Sequence, residues 1–240
     1  MYLTRFQINP HRRDAAKLLA SPQVMHAAVL AGFPNEIRSD AGRVLWRVDR
    51  AGVKHLLIIS SPTKPDLTHL VEQAGWPAVE GGWETRDFRP LLDRFDGGQQ
   101  WGFRLTGNPT HALAPQPGER RGRIVAHRTV EHQIGWLAAQ SNRHGFSLVE
   151  QQIQRLDAES GQPRLITAST ARLSRSEIVR FARGGQTVTL RVAEFDGLLE
   201  ITDPDRFRGA LSHGIGSARA YGCGLLTVAP VAGIEAAQDS

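Results

Sequence analysis

The sequence predicts an α+β protein made of two successive βαββαβ units. Segments in which apolar and polar residues alternate, typical of half-buried strands, are separated by segments with apolar residues at helical spacing. Both halves of the chain show the same order: strand, helix, two strands, helix, strand. The polar stretch "DRFDGGQQ", residues 93–100, lies between the halves and marks the expected boundary.

The first half begins with a strand and an interrupted helix. Residues 4–10, "TRFQINP", alternate cleanly and predict a strand, and residues 12–34 predict a helix. The helix is expected to break at Ser21 and Pro22, because Ser21 is a good cap and Pro22 suits the first turn of a second helical piece. The remaining predicted elements are two strands at 43–49 and 53–60, a helix at 65–75 and an extended piece at 85–89.

The second half repeats this order with a longer hairpin. Residues 100–107, "QWGFRLTG", alternate as a strand, and residues 128–145 carry apolar residues on one helical face. Asp203 and Pro204 are expected to cap and begin a second helix. The other predicted strands cover residues 146–153, 164–173, 186–195 and 224–230.

The element order defines the domains that we expect. A βαββαβ unit is the ferredoxin-like fold, and common RNA-recognition domains are built in the same way. The sequence therefore predicts tandem ferredoxin-like (RRM-like) domains at residues 1–95 and 96–232, the second carrying a C-terminal glycine-rich loop. Residues 233–240, "GIEAAQDS", are expected to form a flexible tail.

Composition limits the class of protein. No apolar run approaches the roughly 18 residues of a membrane span, and the N-terminus lacks the apolar core of a secretory signal. Cys223 is the single cysteine of the chain, which excludes an internal disulfide and suits a reducing cytoplasm. We therefore expect a cytoplasmic protein with no membrane partner.

The charge is basic and unevenly distributed. The formal net charge is +5, the sequence pI is about 10.1, and only three of the 29 basic residues are lysines. Residues 162–192 contain six arginines against one acidic residue, Glu177. Arginine matches phosphate groups and stacks on bases, so this segment favours a polyanionic partner. The alternative is a solvated edge hairpin that charge protects from aggregation.

Four glycines lie close together near the C-terminus, in "SHGIGSARAYGCGLLTVAP" at residues 212–230. A dinucleotide fingerprint is excluded because Arg219 occupies the place of its third glycine, and a P-loop is excluded because Cys223 follows Gly222. Two interpretations remain: a tight connection that needs glycine backbones, or a loop whose N–H groups approach phosphates.

The same loop carries a family resemblance. Residues 214–224, "GIGSARAYGCG", resemble the C-terminal glycine-rich loop of the repeat-associated RNA-binding proteins of CRISPR systems. With "DPDRF" ahead of it, "HGIGSARAYGCGLLTVAP" is similar to the repeat-cleaving endoribonuclease family of the type I-E Cascade complex, called CasE. The segments "MYLTRFQINP", "SPQVMHAAV" and "VRFARGGQTVTLRVAEFDGLLEITDP" agree as well.

The resemblance implies an activity. It implies metal-independent cleavage of precursor CRISPR RNA at the 3′ base of each repeat stem-loop, with 2′,3′-cyclic phosphate and 5′-hydroxyl products. It also implies that the enzyme needs no cofactor, binds the CRISPR repeat hairpin RNA and stays with other Cascade subunits. The sequence supplies no H-E-x-x-H, paired cysteine or G-x-S-x-G motif that would favour a metal enzyme or a serine hydrolase.

RNA cleavage through its own 2′-hydroxyl needs acid–base groups and positive charge near the phosphate. Histidine titrates near neutrality, and the chain has nine histidines. The resemblance selects His26 as the catalytic one. It also places Gln23 where the family carries a tyrosine, and glutamine can hydrogen-bond a phosphate oxygen but cannot transfer a proton.

The remaining predicted site residues are RNA contacts. Arg180 and Arg183 match the family hairpin that enters the RNA groove, Arg172 and Arg175 follow from charge, and His213 is left open. The full predicted RNA-binding set is Arg12, Arg13, Arg172, Arg175, Arg180, Arg183, Gly214, Gly216, Ser217, Arg219, Gly222 and Gly224. The alternative function is a non-catalytic CRISPR RNA-binding subunit of the same fold, which Gln23 favours and His26 disfavours.

Overall fold

The structure is a computed structural model that describes residues 1–33, 42–76, 82–115, 118, 120, 122–157 and 162–231. Its helices are α1 (Arg13–Ala20), α2 (Pro22–Ala31), α3 (Thr68–Ala74), α4 (Arg89–Leu92), α5 (Val130–Arg143) and α6 (Pro204–His213). Its strands are β1 (Tyr2–Ile8), β2 (Leu45–Ala51), β3 (Lys54–Ser61), β4 (Trp83–Asp87), β5 (Gln100–Gly107), β6 (Thr110–Ala112), β7 (Ile124–Ala126), β8 (Phe146–Leu148), β9 (Glu150–Leu156), β10 (Pro163–Ser169), β11 (Arg172–Arg183), β12 (Gln186–Ile201) and β13 (Leu226–Ala229).

The first sheet has the order β2-β3-β1-β4, with antiparallel pairs throughout. Strand alternation turns Phe6 and Ile8 of β1 toward the helices, where they pack with apolar residues of α1, α2 and α3. The chain reaches α2 through Ser21, whose hydroxyl accepts a hydrogen bond from the N–H of Val24, with Pro22 in the first turn. The predicted interruption of the helix is confirmed.

The second sheet repeats this topology, with the order β11-β12-β5-β13. Helix α5 follows its first strand, β5, and α6 precedes its last strand, β13. The long strand β12 pairs with β8 near its C-terminal end and with β11 along the protruding β11–β12 hairpin. Because both halves show βαββαβ order with an antiparallel sheet, the predicted tandem ferredoxin-like fold class is confirmed.

Some elements differ from the prediction. The single extended segment expected at 164–173 is divided, because β10 ends at Ser169 and pairs with β9 in a separate two-stranded sheet. A small β6–β7 hairpin and the short helix α4 carry too few residues to show a period, and they were not predicted. The predicted flexible tail, residues 233–240, lies outside the described residues.

Each sheet has its own core on its helix-covered face. The second core contains Phe103, Phe195 and Phe207, and also Leu92 and Phe95, which come just before the predicted domain boundary. The uncovered faces of the two sheets meet through a smaller cluster of Leu45, Ile58 and Leu225. Within the described part of the chain, no helix is long and apolar enough to cross a membrane.

The reactivity of the Cys223 thiol provides a test of this packing. Its side chain is fully buried, and burial raises the pKa of the thiol to about 12. Since the thiolate is the reactive form, we expect iodoacetamide to leave Cys223 unmodified in the native protein at pH 8 and to modify it in urea. Mass spectrometry of both samples checks this, and equal labelling rates would contradict the buried placement.

Candidate active site

His26 lies on α2, on the side of the helix that approaches the second half of the chain. The neighbouring Met25 and Val29 are buried in the first core, which fixes the rotation of the helix. His26 itself is half-buried. The 3₁₀ turn of Arg219–Tyr221, inside the glycine-rich loop, and strand β11 both contact α2. The fold therefore joins the predicted histidine, glycine-rich loop and basic hairpin at one place.

The indole of Trp46 forms the first aromatic contact of His26. Trp46 is 4% exposed and turns toward the helices from β2, and its Nε1–H donates a hydrogen bond to His26 Nδ1 at 3.3 Å. A buried tryptophan usually finds a partner for its single N–H group. His26 Nε2 has no hydrogen-bond partner among the described residues, so this nitrogen is free for a ligand.

Tyr221 forms the second aromatic contact of His26. The two rings meet edge to face with centroids 6.5 Å apart, and Tyr221 packs on Phe181 of β11 at 4.7 Å. The Tyr221 hydroxyl makes no hydrogen bond to any described residue. The ring of Tyr221 therefore connects the glycine-rich loop, the hairpin and the histidine.

Cations surround the site. Burial lowers the pKa of His26 below its ordinary value of 6.5, and the positive charges of Arg43 and Arg183 lower it further. Burial also lowers the pKa of Arg219, and Arg43 acts in the same direction. The Nε atom of Arg219 is buried with no partner among the described residues. A cluster of like charges with an unused donor favours an anion.

The glycine-rich loop is shaped by the aromatic residues beneath it. A Cβ at Gly222, where φ is +79°, would lie 2.9 Å from the ring of Trp46, and a Cβ at Gly216 would lie 2.9 Å from the ring of Trp136. Gly214 and Gly224 use their N–H groups within the fold, on the carbonyls of Ala210 and Thr106. The loop therefore needs glycine in order to pack this closely on the two rings. This supports the first interpretation of the sequence, a tight connection that needs glycine backbones.

The same loop retains a polar segment that faces outward. The N–H groups of Gly216 and Ser217 have no backbone partner among the described residues, and the Ser217 hydroxyl accepts a hydrogen bond from the amide of Asn108. Ala218, which lies between these two residues and Arg219, has a positive φ of 59°. RNA contact by the predicted loop residues stays a prediction, and these two N–H groups are among those available for it.

Strand alternation divides the hairpin arginines between two faces. Arg183 and Phe181 share the face toward α2, whereas Arg180 is exposed on the opposite face. Arg175 also faces inward, with ion pairs to Glu177 and Glu194 at 3.4 and 3.5 Å. Arg172 is exposed at the start of β11. Of this set, the structure brings Arg183 to the histidine.

The N-terminal predicted residues lie in different surroundings. Arg12 donates hydrogen bonds to the carbonyls of Val71 and Gly75 at the end of α3, so its guanidinium has a structural role. Arg13 is exposed at the first residue of α1. Gln23 is half-buried one helical turn before His26, and its amide has no partner among the described residues. Their RNA and catalytic roles stay predictions.

Three site residues were missed by the sequence analysis: Arg43, Trp46 and Tyr221. Trp46 lies in the predicted strand at 43–49, where the alternating pattern does not show which polar partner its indole N–H finds. Tyr221 lies between the glycines of the loop, and their spacing does not distinguish it from its neighbours. No local pattern marks Arg43, because its position depends on a contact distant in sequence: its backbone N–H donates to the carbonyl of Ser212 at the end of α6.

These features define the class of the protein: a tandem ferredoxin-like protein whose histidine-centred, arginine-rich site fits a polyanion. Among the described residues, no group of three or more His, Cys, Asp or Glu side chains is placed to hold a metal ion. The model of a family described as "CRISPR associated protein" matches residues 1–230. The CRISPR-associated endoribonuclease Cse3 of Thermus thermophilus is 31% identical over 235 residues, which cover 96% of this chain and 100% of that protein.

The chain therefore belongs to the family of CRISPR-associated proteins that contains Cse3, and the resemblance stated from the sequence is confirmed. The structure of Cse3 bound to a 19 nt RNA matches with a TM-score of 0.72 at 28% identity, covering 96% of this chain and 100% of the other. Thermus thermophilus Cse3 bound to an RNA representing a pre-cleavage complex matches with a TM-score of 0.71 at 28% identity, covering 95% and 98%. Cas6e from Escherichia coli, at 19% identity over 96% of this chain and 100% of that one, shares the fold with a TM-score of 0.58.

Proposed function

We propose that this protein is a metal-independent endoribonuclease that cleaves precursor CRISPR RNA at the 3′ base of the repeat stem-loop. The RNA's own 2′-hydroxyl attacks the scissile phosphate, the P–O5′ bond breaks, and the products carry a 2′,3′-cyclic phosphate and a 5′-hydroxyl. The observation that carries the proposal is His26, with its free Nε2, among Arg43, Arg183 and Arg219.

This reaction needs no protein nucleophile, so the site has only to stabilise the charge that develops on the phosphate. As the phosphate becomes five-coordinate, negative charge grows on its non-bridging oxygens, and preorganised cations and N–H donors stabilise that charge. Arg219 and Arg183 reach the site from the loop and the hairpin, and His26 approaches from α2. Three elements that are distant in sequence therefore meet at one place, and this convergence supports binding of a phosphate there.

RNA binding and assembly belong to the same proposal. The exposed arginines of β11 lie on a rigid two-stranded ribbon, which suits an RNA hairpin recognised by its shape and phosphates. We propose that the repeat hairpin is the partner, that the mature guide stays bound within Cascade, and that the protein acts in the cytoplasm. We also propose residues 1–95 and 96–232 as its two domains.

The test uses the CRISPR repeat RNA of the source genome, incubated with the protein in EDTA. A second substrate carries one 2′-deoxy substitution at the scissile nucleotide. We expect cleavage of the all-ribose RNA alone, with a cyclic phosphate end detected by mass spectrometry. Cleavage of the 2′-deoxy substrate, or activity that EDTA removes, would overturn the mechanism.

A non-catalytic RNA-binding subunit is the alternative function. Gln23 supports it, because the side chain that replaces the family tyrosine cannot transfer a proton. Tight binding of the repeat hairpin by the wild-type protein, with no cleavage of all-ribose RNA, would establish this alternative. Weak and salt-insensitive RNA binding would exclude both functions.

Arg183 and Arg180 form a matched pair for testing the site. Both are exposed on β11, but only Arg183 shares the face that approaches His26. We expect Arg183→Ala and Arg180→Ala each to weaken RNA binding and to reduce the salt dependence by about one phosphate contact. Only Arg183→Ala should also slow cleavage of bound RNA, and it should raise the pKa of His26 because a nearby positive charge is lost.

Binding titrations at several salt concentrations and single-turnover cleavage across pH provide the measurements. If Arg180→Ala slowed the cleavage step as much as Arg183→Ala, the division of the two faces would be wrong.

A further inference from the structure

The Trp46–His26 hydrogen bond determines which nitrogen of the imidazole carries the proton. An indole N–H is a donor only, so His26 Nδ1 must accept at the 3.3 Å contact. A neutral imidazole has one N–H, and with Nδ1 unprotonated this proton lies on Nε2. The nitrogen without a partner in the described structure is therefore an N–H donor.

The surroundings of His26 act in the same direction. Protonation of Nδ1 would place two N–H groups against each other and lose the bond from Trp46. The charged groups that act on the ring are Arg43 and Arg183, both cations, and the uncharged Tyr221 meets its edge. Arg219 adds its positive charge beside Arg43. All these contacts favour the neutral ring.

Trp46 is held firmly enough for this role. Its side chain belongs to the first core, and Gly222 lies directly against its ring, where a Cβ would approach to 2.9 Å. The glycine-rich loop thus closes over the tryptophan that contacts the histidine. The loop and the histidine, which are distant in sequence, are linked through one indole.

We propose that Trp46 is a positioning residue that keeps His26 as its Nε2–H tautomer, so that His26 meets the scissile phosphate as a hydrogen-bond donor. This inference rests on the proposed function and refines it. While the bond from Trp46 is in place, His26 Nε2 cannot accept the proton of the attacking 2′-hydroxyl. His26 instead donates to a phosphate oxygen that gains negative charge.

The first test needs no cleavage. Imidazole ¹⁵N resonances report which ring nitrogen is protonated, and the His26 signals are assigned by their loss in His26→Ala. In the wild-type protein at pH 8 we expect a protonated Nε2 and an unprotonated Nδ1. In Trp46→Phe, which keeps an aromatic ring but removes the donor, we expect a mixture of tautomers. A wild-type ring protonated mainly on Nδ1 would overturn the proposal, and so would an unchanged tautomer in Trp46→Phe.

The second test measures single-turnover cleavage at pH 8 and the pKa of His26. Trp46→Phe should bind repeat RNA normally but cleave it several-fold more slowly, and the pKa of His26, followed by its ring ¹⁵N resonances, should rise by as much as about one unit. The direction follows because protonation of His26 no longer costs the bond from Trp46.

Trp136→Phe is the matched control. Trp136 is also buried and packs against Gly216 of the same loop, but it does not contact His26. An equal rise of the His26 pKa in Trp136→Phe, or an unchanged His26 pKa in Trp46→Phe, would show that packing alone matters. A wild-type protein that binds but never cleaves would refute the proposed function, whereas the ¹⁵N result would still test the tautomer.

Discussion

Replacement of His26 by alanine is expected to slow cleavage of bound repeat RNA by about a hundredfold or more while RNA affinity stays within a few-fold of wild type. The imidazole is one neutral donor near the phosphate, and donors of this kind contribute roughly 10² to 10³ to the rate. Affinity depends mainly on the several arginines of the site and hairpin, which the substitution leaves in place.

Single-turnover cleavage in EDTA, with filter binding alongside, measures both quantities. His55→Ala is the control, because His55 lies in β3 with its Nδ1 at the Val53 carbonyl of the β2–β3 turn. It should cleave at the wild-type rate. Cleavage by His26→Ala at the wild-type rate would show that another group assists the reaction. Tyr221, whose hydroxyl has no partner among the described residues, would be the first candidate for that role.

Local patterns were sufficient to predict most of the fold. Strand alternation identified β1, β2, β5 and β12, and the caps at Ser21 and Asp203 identified the starts of α2 and α6. These features depend on residues a few positions apart, which the sequence displays directly. The separate β9–β10 sheet was not predicted as such, because alternation alone does not say which strands pair.

The site was predicted only in parts. His26 and the glycine-rich loop were both singled out, but only the family resemblance related them, because nearly the whole chain separates them in sequence. Their connection depends on Trp46, whose ring lies under Gly222 and whose N–H meets the histidine. The need for glycine at Gly222 therefore comes from a tryptophan in the other half of the chain. The spacing of residues along the sequence does not reveal a contact between residues so far apart.

Arg47→Met is expected to destabilise the folded protein by about 3–5 kcal/mol, because it removes a buried cation from a complete set of partners. Arg47 is 4% exposed and follows Trp46 in β2, so its side chain turns to the opposite face, toward the second sheet. Its guanidinium binds both carboxylate oxygens of Asp49, at 2.6 and 3.1 Å. Its remaining donors reach the carbonyls of Arg104 and Leu225 and the hydroxyl of Thr227.

The loss extends beyond one ion pair. Methionine fills a similar volume but leaves Asp49, whose side chain is 17% exposed, and two backbone carbonyls without their donor. Urea unfolding measures the change. Arg47→Lys keeps the charge but not the planar fork, so it should fall between wild type and Arg47→Met.

Arg5→Met provides the matched control on the same sheet. The Arg5–Glu84 pair is also short, at 2.8 Å, but its side chains are 62% and 40% exposed, so we expect a loss below about 1 kcal/mol. Because Leu225 directly follows Gly224, Arg47 also fixes the end of the glycine-rich loop that packs on Trp46. Arg47→Met should therefore slow cleavage even where it remains folded, whereas Arg5→Met should not. Equal stability losses in the two variants would show that the Arg47 network does not hold the sheets together.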